Sequence, residues 1–244
     1  EQAFEERYPH IDVLVEGHGS IQCVRHVTEL EQLADVVAVA DYALIPMLMY
    51  QSDIPETHQP YADWHLQFAT NQLGLAYTDQ STYAAQITTD NWYDVVSRPD
   101  VLLGLSDPRF DSCGYRGLMA TQLAEAYAGD ERLFETVLGH RFTPGIRTEH
   151  RAEGITLLVP ETLQPVKDSG LVVRGSSVRL MGLLESGDLD YAFEYESVSR
   201  QHDLNFLALP PAINLSDEAR ADEYAHVSVR LDFQRFASVR PEFV

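Results

Sequence analysis

Residues 101–130 read VLLGLSDPRFDSCGYRGLMATQLAEAYAGD and pass in one sweep from strand to loop to helix. Residues 101–105 form a short apolar run of strand length, and Ser106-Asp107-Pro108 breaks it. From about Tyr115 to Ala128 the apolar residues Leu118, Met119, Leu123 and Ala126 fall on one face at helical spacing. A strand feeding a helix through a short loop is the building unit of an α/β protein. The same turn sets the backbone N–H groups of Cys113 and Gly114 at a helix start, with Asp111 beside them.

On either side the pattern repeats. Upstream, residues 11–16 read as a strand and 21–33 as a helix, opened by Gly19-Ser20 with Ser20 as a plausible N-cap. Residues 35–40 read as an apolar buried strand, and 41–48 as a helix start interrupted at Pro46. A polar, proline-containing loop over 51–64 leads to a long alternating strand over 66–78. Downstream, strands are expected at 155–159, 171–173, 191–195 and 206–209. A helix over 177–186 should end at Gly187, and residues 227–244 show strand-like alternation. These readings predict an α/β fold with mostly parallel central sheets. The strands around 66–78 and 206 are the natural places for the chain to pass between two lobes.

With 45% hydrophobic and 10% aromatic residues spread over 244 positions, the chain is a folded protein, large enough for one domain or two small ones. No apolar stretch reaches the roughly 18 residues that a membrane crossing needs; the densest, 34–50, is broken by Asp35, Asp41 and Pro46. Residues 1–7 are charged and carry no export signal, although a trimmed secreted chain would read the same way. Against 38 acidic residues stand 17 basic ones, a net charge of −21 that argues against nucleic acid and anionic membranes as partners. Lys167 is the only lysine. Acid excess with so little lysine suits a protein kept soluble in brine; a GC-rich genome with an ordinary acidic surface is the plainer explanation. Cys23 and Cys113 are too few for a disulfide scaffold and lack zinc-type spacing.

No nucleophile elbow, P-loop, dinucleotide fingerprint or zinc-protease motif is present. The nine histidines are scattered. His18 and His26 stand eight apart and His58 and His65 seven, neither a helical i, i+4 pair, so surface or core histidines are expected rather than metal ligands. Three segments point instead to an anion. Glu16-Gly17-His18-Gly19-Ser20 offers a hydroxyl beside free N–H groups at a helix start; a plain strand-to-helix turn with a capping serine is the other reading. Ser106 to Arg116 forms a second such start. Tyr191, Phe193 and Tyr195 share one face of a strand, either reaching a cleft or packing a core. Together they suit an oxyanion held by neutral donors between α/β lobes, each such bond contributing about 1.5–3 kcal/mol.

At these residues the chain resembles the archaeal molybdate/tungstate-binding proteins. The likeness runs through Gly19-Ser20, Cys23-Val24-Arg25, Thr28-Glu29-Leu30, residues 34–46, Phe68-Ala69-Thr70-Asn71, Ser106-Asp107-Pro108, Asp111 and Cys113-Gly114-Tyr115-Arg116. It continues in Leu184-Glu185-Ser186-Gly187, Leu189-Asp190-Tyr191, Phe193-Glu194-Tyr195, Ser199-Arg200-Gln201-His202 and Leu209-Pro210. The resemblance implies a two-lobed periplasmic-binding-protein type II fold. Lobe I would comprise 1–70 with 206–244, and lobe II 71–205. It further implies that Ser20 donates its hydroxyl and N–H from one lobe, Cys113 and Gly114 their N–H groups from the other, and Tyr195 its phenol. Asp111 would approach the metal atom of the anion, raising its coordination toward six, or else simply cap its own loop.

Three departures modify this picture. The family's Ala-Gly-Ser-Leu loop and its strand would precede residue 1. Its second carboxylate, a glutamate, is replaced in Gly175-Ser176-Ser177-Val178, so Ser177 is expected to stand in as a hydroxyl donor and to favour a four-coordinate anion. Closing elements of lobe I would follow residue 244. These departures imply a chain truncated at both ends, or a reduced, incomplete first lobe. Cys23 and Cys113 would sit on opposite lobes as free thiols. The implied protein is an extracellular, haloarchaeal, monomeric binder of tungstate or molybdate, anchored through an absent N-terminal segment. It would deliver the anion to an ABC permease, with no enzyme activity and no cofactor. Rival readings are a sulfate binder, a degenerate anion sensor and, least favoured, a phosphoesterase using Asp111 and Tyr195.

Overall fold

The computed structural model describes residues 1–231. Its helices are α1 (Gln2–Arg7), α2 (Ser20–Thr28), α3 (Trp92–Val96), α4 (Ser112–Ala128), α5 (Leu133–Val137), α6 (Val178–Ser186), α7 (Glu196–Gln201) and α8 (Ala221–Tyr224). Its strands are β1 (Leu73–Tyr77), β2 (Leu103–Ser106), β3 (Phe142–Thr143), β4 (Arg147–Arg151), β5 (Gly154–Val159), β6 (Gln164–Pro165), β7 (Leu171–Arg174), β8 (Tyr191–Tyr195), β9 (Asn205–Ala208) and β10 (Val227–Leu231).

The central sheet has the order β7-β2-β8-β1-β9. β2 is parallel to both its neighbours, whereas β1 runs antiparallel to β8 and β9. All strands but β1 therefore point the same way. β2 and β8 are buried along their whole length because helices cover both faces. On one face Leu118 of α4 and Trp92 of α3 pack with Leu73, Leu75, Leu103, Leu105 and Phe193. On the other, Leu180, Met181 and Leu184 of α6 pack with Ala76, Leu189 and Ala192. Each buried leucine, methionine or phenylalanine among them contributes roughly 1.5–3 kcal/mol. Gly187 ends α6 at φ 78°, as its sequence position predicts. A second sheet, β10-β5-β4, joins the same core through Leu157, Val159 and Val227.

β1 and β9, where the chain was expected to pass between lobes, lie side by side as antiparallel neighbours. The long strand expected over 66–78 is only β1; residues 66–72 form no strand, and Leu66 and Phe68 are exposed. Residues 11–16 and 35–40 are not strands either: Leu14 is 89% exposed and Val36 83%. A β-branched run becomes a strand only with a neighbour to pair with, and among the described residues none lies beside these. The helix expected over 21–33 stops at Thr28, because its buried stripe is Ile21, Val24, Arg25 and Thr28, and Leu33 lies outside it in solvent. Pro46 opens a single wide turn, Ile45–Met49, rather than interrupting a helix; a proline costs nothing where no N–H bond is due. α4 begins at Ser112, earlier than expected, because Asp111 caps it. The alternation expected to Val244 is a strand over β10; residues 232–244 lie outside the described residues.

Candidate functional site

The starts of α2, α4 and α6 meet at one carboxylate. Asp111, the N-cap of α4, accepts a hydrogen bond from the Cys113 N–H at 3.4 Å. Its second oxygen accepts from the Ser177 N–H at the head of α6, at 2.7 Å. The Ser20 N–H, at the head of α2, adds a further bond to the same group. Burial raises the Asp111 pKa, and the N–H groups of Ser177 and Cys113 pull it back. The approach is close enough to require glycine at two places. A Cβ on Gly19 would lie 2.5 Å from the Phe110 carbonyl oxygen and 2.9 Å from Asp111 Cβ. One on Gly114 would lie 2.2 Å from the Ser106 carbonyl oxygen.

A line of hydroxyls runs beside the carboxylate. Ser112 donates to Ser20 Oγ at 3.1 Å and lies 3.3 Å from the Tyr195 hydroxyl. Ser20 Oγ also accepts from the Ala40 N–H at 3.1 Å. Accepting twice leaves its own O–H free to donate. Burial pushes the Tyr195 phenol well above its ordinary range, so it stays a neutral donor. Arg116, whose charge reaches Tyr195, is held by Asp41 at 3.0 Å, and Tyr115 donates to the same Asp41 oxygen.

Under α6 lies a second buried acid. Glu194 Oε1 accepts from the Tyr195 N–H at 2.7 Å and from the Ser177 hydroxyl at 3.1 Å, while its Oε2 has no partner. Burial pushes its pKa up to about 8, further raised by the nearby Asp111 charge and opposed by those two donors. Near neutrality Glu194 is therefore largely protonated.

Ser20, Asp111 with Cys113, Ser177 and Tyr195, drawn from four separate stretches of sequence, thus converge. Gly114 joins them differently: its N–H donates to the Asp111 carbonyl at 3.2 Å, and its missing side chain lets the helix start sit against Ser106. The Ser177 hydroxyl turns to Glu194, so it is the backbone N–H of Ser177 that faces Asp111. Two members were not foreseen. Ser112 stands inside the loop first quoted, and its place as first residue of the helix is a readable signal. Glu194 looks like any strand residue between aromatics. Both cysteines are free, and Cys113 Sγ donates to the Phe193 carbonyl at 3.4 Å.

The family model for bacterial extracellular solute-binding proteins matches residues 1–229. The chain belongs to that family. Members of this solute-binding family are not enzymes, so the phosphoesterase reading falls away. Among relatives, an uncharacterized solute-binding protein of Methanococcus maripaludis is 39% identical over 96% of this chain and 65% of its own length. A molybdate/tungstate-binding protein of Pyrococcus abyssi is 43% identical over 88% of this chain and 59% of its own length. One of the same description from Thermococcus kodakarensis is 40% identical over 88% and 57%. The chain thus spans about two thirds or less of the length of these solute-binding relatives. No helix among the described residues is long and apolar enough to cross a membrane.

Proposed function

We propose that this chain captures a small tetrahedral dianion of the molybdate/tungstate type outside the cell and hands it to an ABC importer. The observation that carries this reading is the Asp111 carboxylate seated among three helix starts. An anionic group already rests there on neutral donors, the N–H groups of Ser177, Cys113 and Ser20 and the Ser106 side chain, which is how a protein of net charge −21 can hold an anion. An incoming oxyanion takes over the N–H groups of Ser20, Cys113 and Ser177 and adds the hydroxyls of Ser20, Ser112 and Tyr195. Asp111, displaced from those donors, turns to the metal atom of the anion. A lobe boundary near residue 71 puts Ser20 on one lobe and Asp111, Ser177 and Tyr195 on the other, so the bound anion bridges them and favours closure. The family likeness and the two relatives described as molybdate/tungstate-binding support the choice of ligand.

Sulfate is the second reading, favoured by Ser177 where the likeness leads one to expect a carboxylate. Calorimetric titration with tungstate, molybdate and sulfate separates the two. The proposal expects saturable tungstate or molybdate binding that sulfate does not displace, weakened in Ser20→Ala. Sulfate that tungstate fails to displace assigns the site to sulfate, and the absence of binding to all three rejects the transport role.

A further inference from the structure

Sequence spacing argued against a metal site at the histidines, yet folding brings His18 and His26 together. The segment before α2 turns back over the helix, so that the two imidazole rings lie 4.3 Å apart between centroids, tilted by 60°. Glu16 joins them: its Oε2 is 3.6 Å from His18 Nε2, and one ligand atom from each of the three residues lies within 4.8 Å of the others. We propose that Glu16, His18 and His26 form a binding site for a borderline divalent transition metal of the zinc class.

Two imidazoles and a carboxylate are the donor set such ions prefer, with a fourth position left to water. For bonds of roughly 2.0–2.1 Å, tetrahedral ligand atoms stand about 3.4 Å apart. The Glu16–His18 separation already nears that value, and a small rotation of His26 closes the rest. The groups are prepared for a cation. The Gln32 side chain is hydrogen-bonded to His26, the kind of outer contact that fixes a ligating ring. Cys23 Sγ, donating to the His18 carbonyl at 3.6 Å, anchors the same loop. The site stands apart from the oxyanion reading, since none of its three ligands belongs to that site. Its occupation would tie the exposed segment before residue 16 onto α2, and through Gly19 steady the loop that presents Ser20.

The test uses the full chain, tag-free and metal-stripped, in phosphate-free buffer without any oxyanion. Co²⁺ is followed by its visible absorption and Zn²⁺ by competition against Co²⁺. The expected result is one saturable equivalent with the strong absorption of a tetrahedral site, and a melting temperature raised by Zn²⁺. His18→Gln and His26→Gln should each weaken binding by roughly a hundredfold, with Glu16→Gln smaller at about tenfold or more. Glu16 is exposed, so its variant decides the matter should a histidine variant fail to fold. No saturable binding to the unaltered chain, or binding unchanged in Glu16→Gln and in whichever histidine variants fold, overturns the proposal.

Discussion

Residues 1–72 and residues 73–231 contain similar apolar runs but use them differently. In the second region LGLAY, LGLS and YAFEY are strands buried between helices. In the first, comparable runs at 11–16, 35–40 and 66–70 form no strand, with Leu14, Val36 and Phe68 exposed and Val37 and Val39 only partly covered. What is buried there is a small cluster of Ile21, Val24, Leu44, Ile45 and Met49. That cluster holds α2, and α2 holds Ser20 against the second region. Hydrophobic pattern thus states which segments could be strands; pairing, a property of the whole sheet, decides which are.

The sharpest way to break this contrast is a pair of truncations. Leu105→Ala should cost about 2–5 kcal/mol of unfolding free energy, whereas Leu33→Ala should stay within about 0.5 kcal/mol. Equal effects in denaturant titrations would show that the first region is packed after all.

A second difference is electrostatic. Glu194, deep in the second region, has a folded pKa of about 8 against an ordinary 4.5. The folded state therefore binds more protons than the unfolded one between those values. Its stabilising contribution is present below pH 4.5 and is lost as pH rises through 8. Glu194→Gln should melt at a higher temperature than the unaltered chain at pH 9, with the gap narrowing toward pH 6. A gap independent of pH would mean that Glu194 is not buried as described.

Much of the second region was legible. The quoted loop revealed a helix start with Asp111 beside it, and Gly187 marked the end of α6. What the spacing hid were meetings between distant segments: Glu194 beneath Ser177, Ser112 beside Ser20, and His18 over His26. Those depend on where loops fold back, which no local period records. Residues 11–16 failed for the opposite reason, since their local preference was clear and their partner was not.

Asp111 sharpens the comparison because it joins the two regions as well as α4 and α6. Asp111→Ala should cost about 1–3 kcal/mol in thermal or denaturant unfolding through the lost cap and the N–H groups left unpaired. It should also weaken tungstate more than sulfate, because only tungstate offers a metal atom to the carboxylate. Equal losses for the two anions would confine Asp111 to capping.

The smallest expected effect concerns the surface. With 38 acidic residues against 17 basic, raising salt from dilute buffer to about 1 M shortens screening to about 3 Å and should raise the melting temperature. Unchanged melting would remove the salt-adapted reading.

The most direct measurement is the anomalous signal of tungsten in a crystal grown with tungstate. A single strong peak within hydrogen-bonding reach of Ser20 and of the Ser177 N–H, with Asp111 turned toward it, is the predicted result. A peak lodged elsewhere, with Asp111 still seated on Ser177, would contradict the claim that neutral donors from both regions close around the anion.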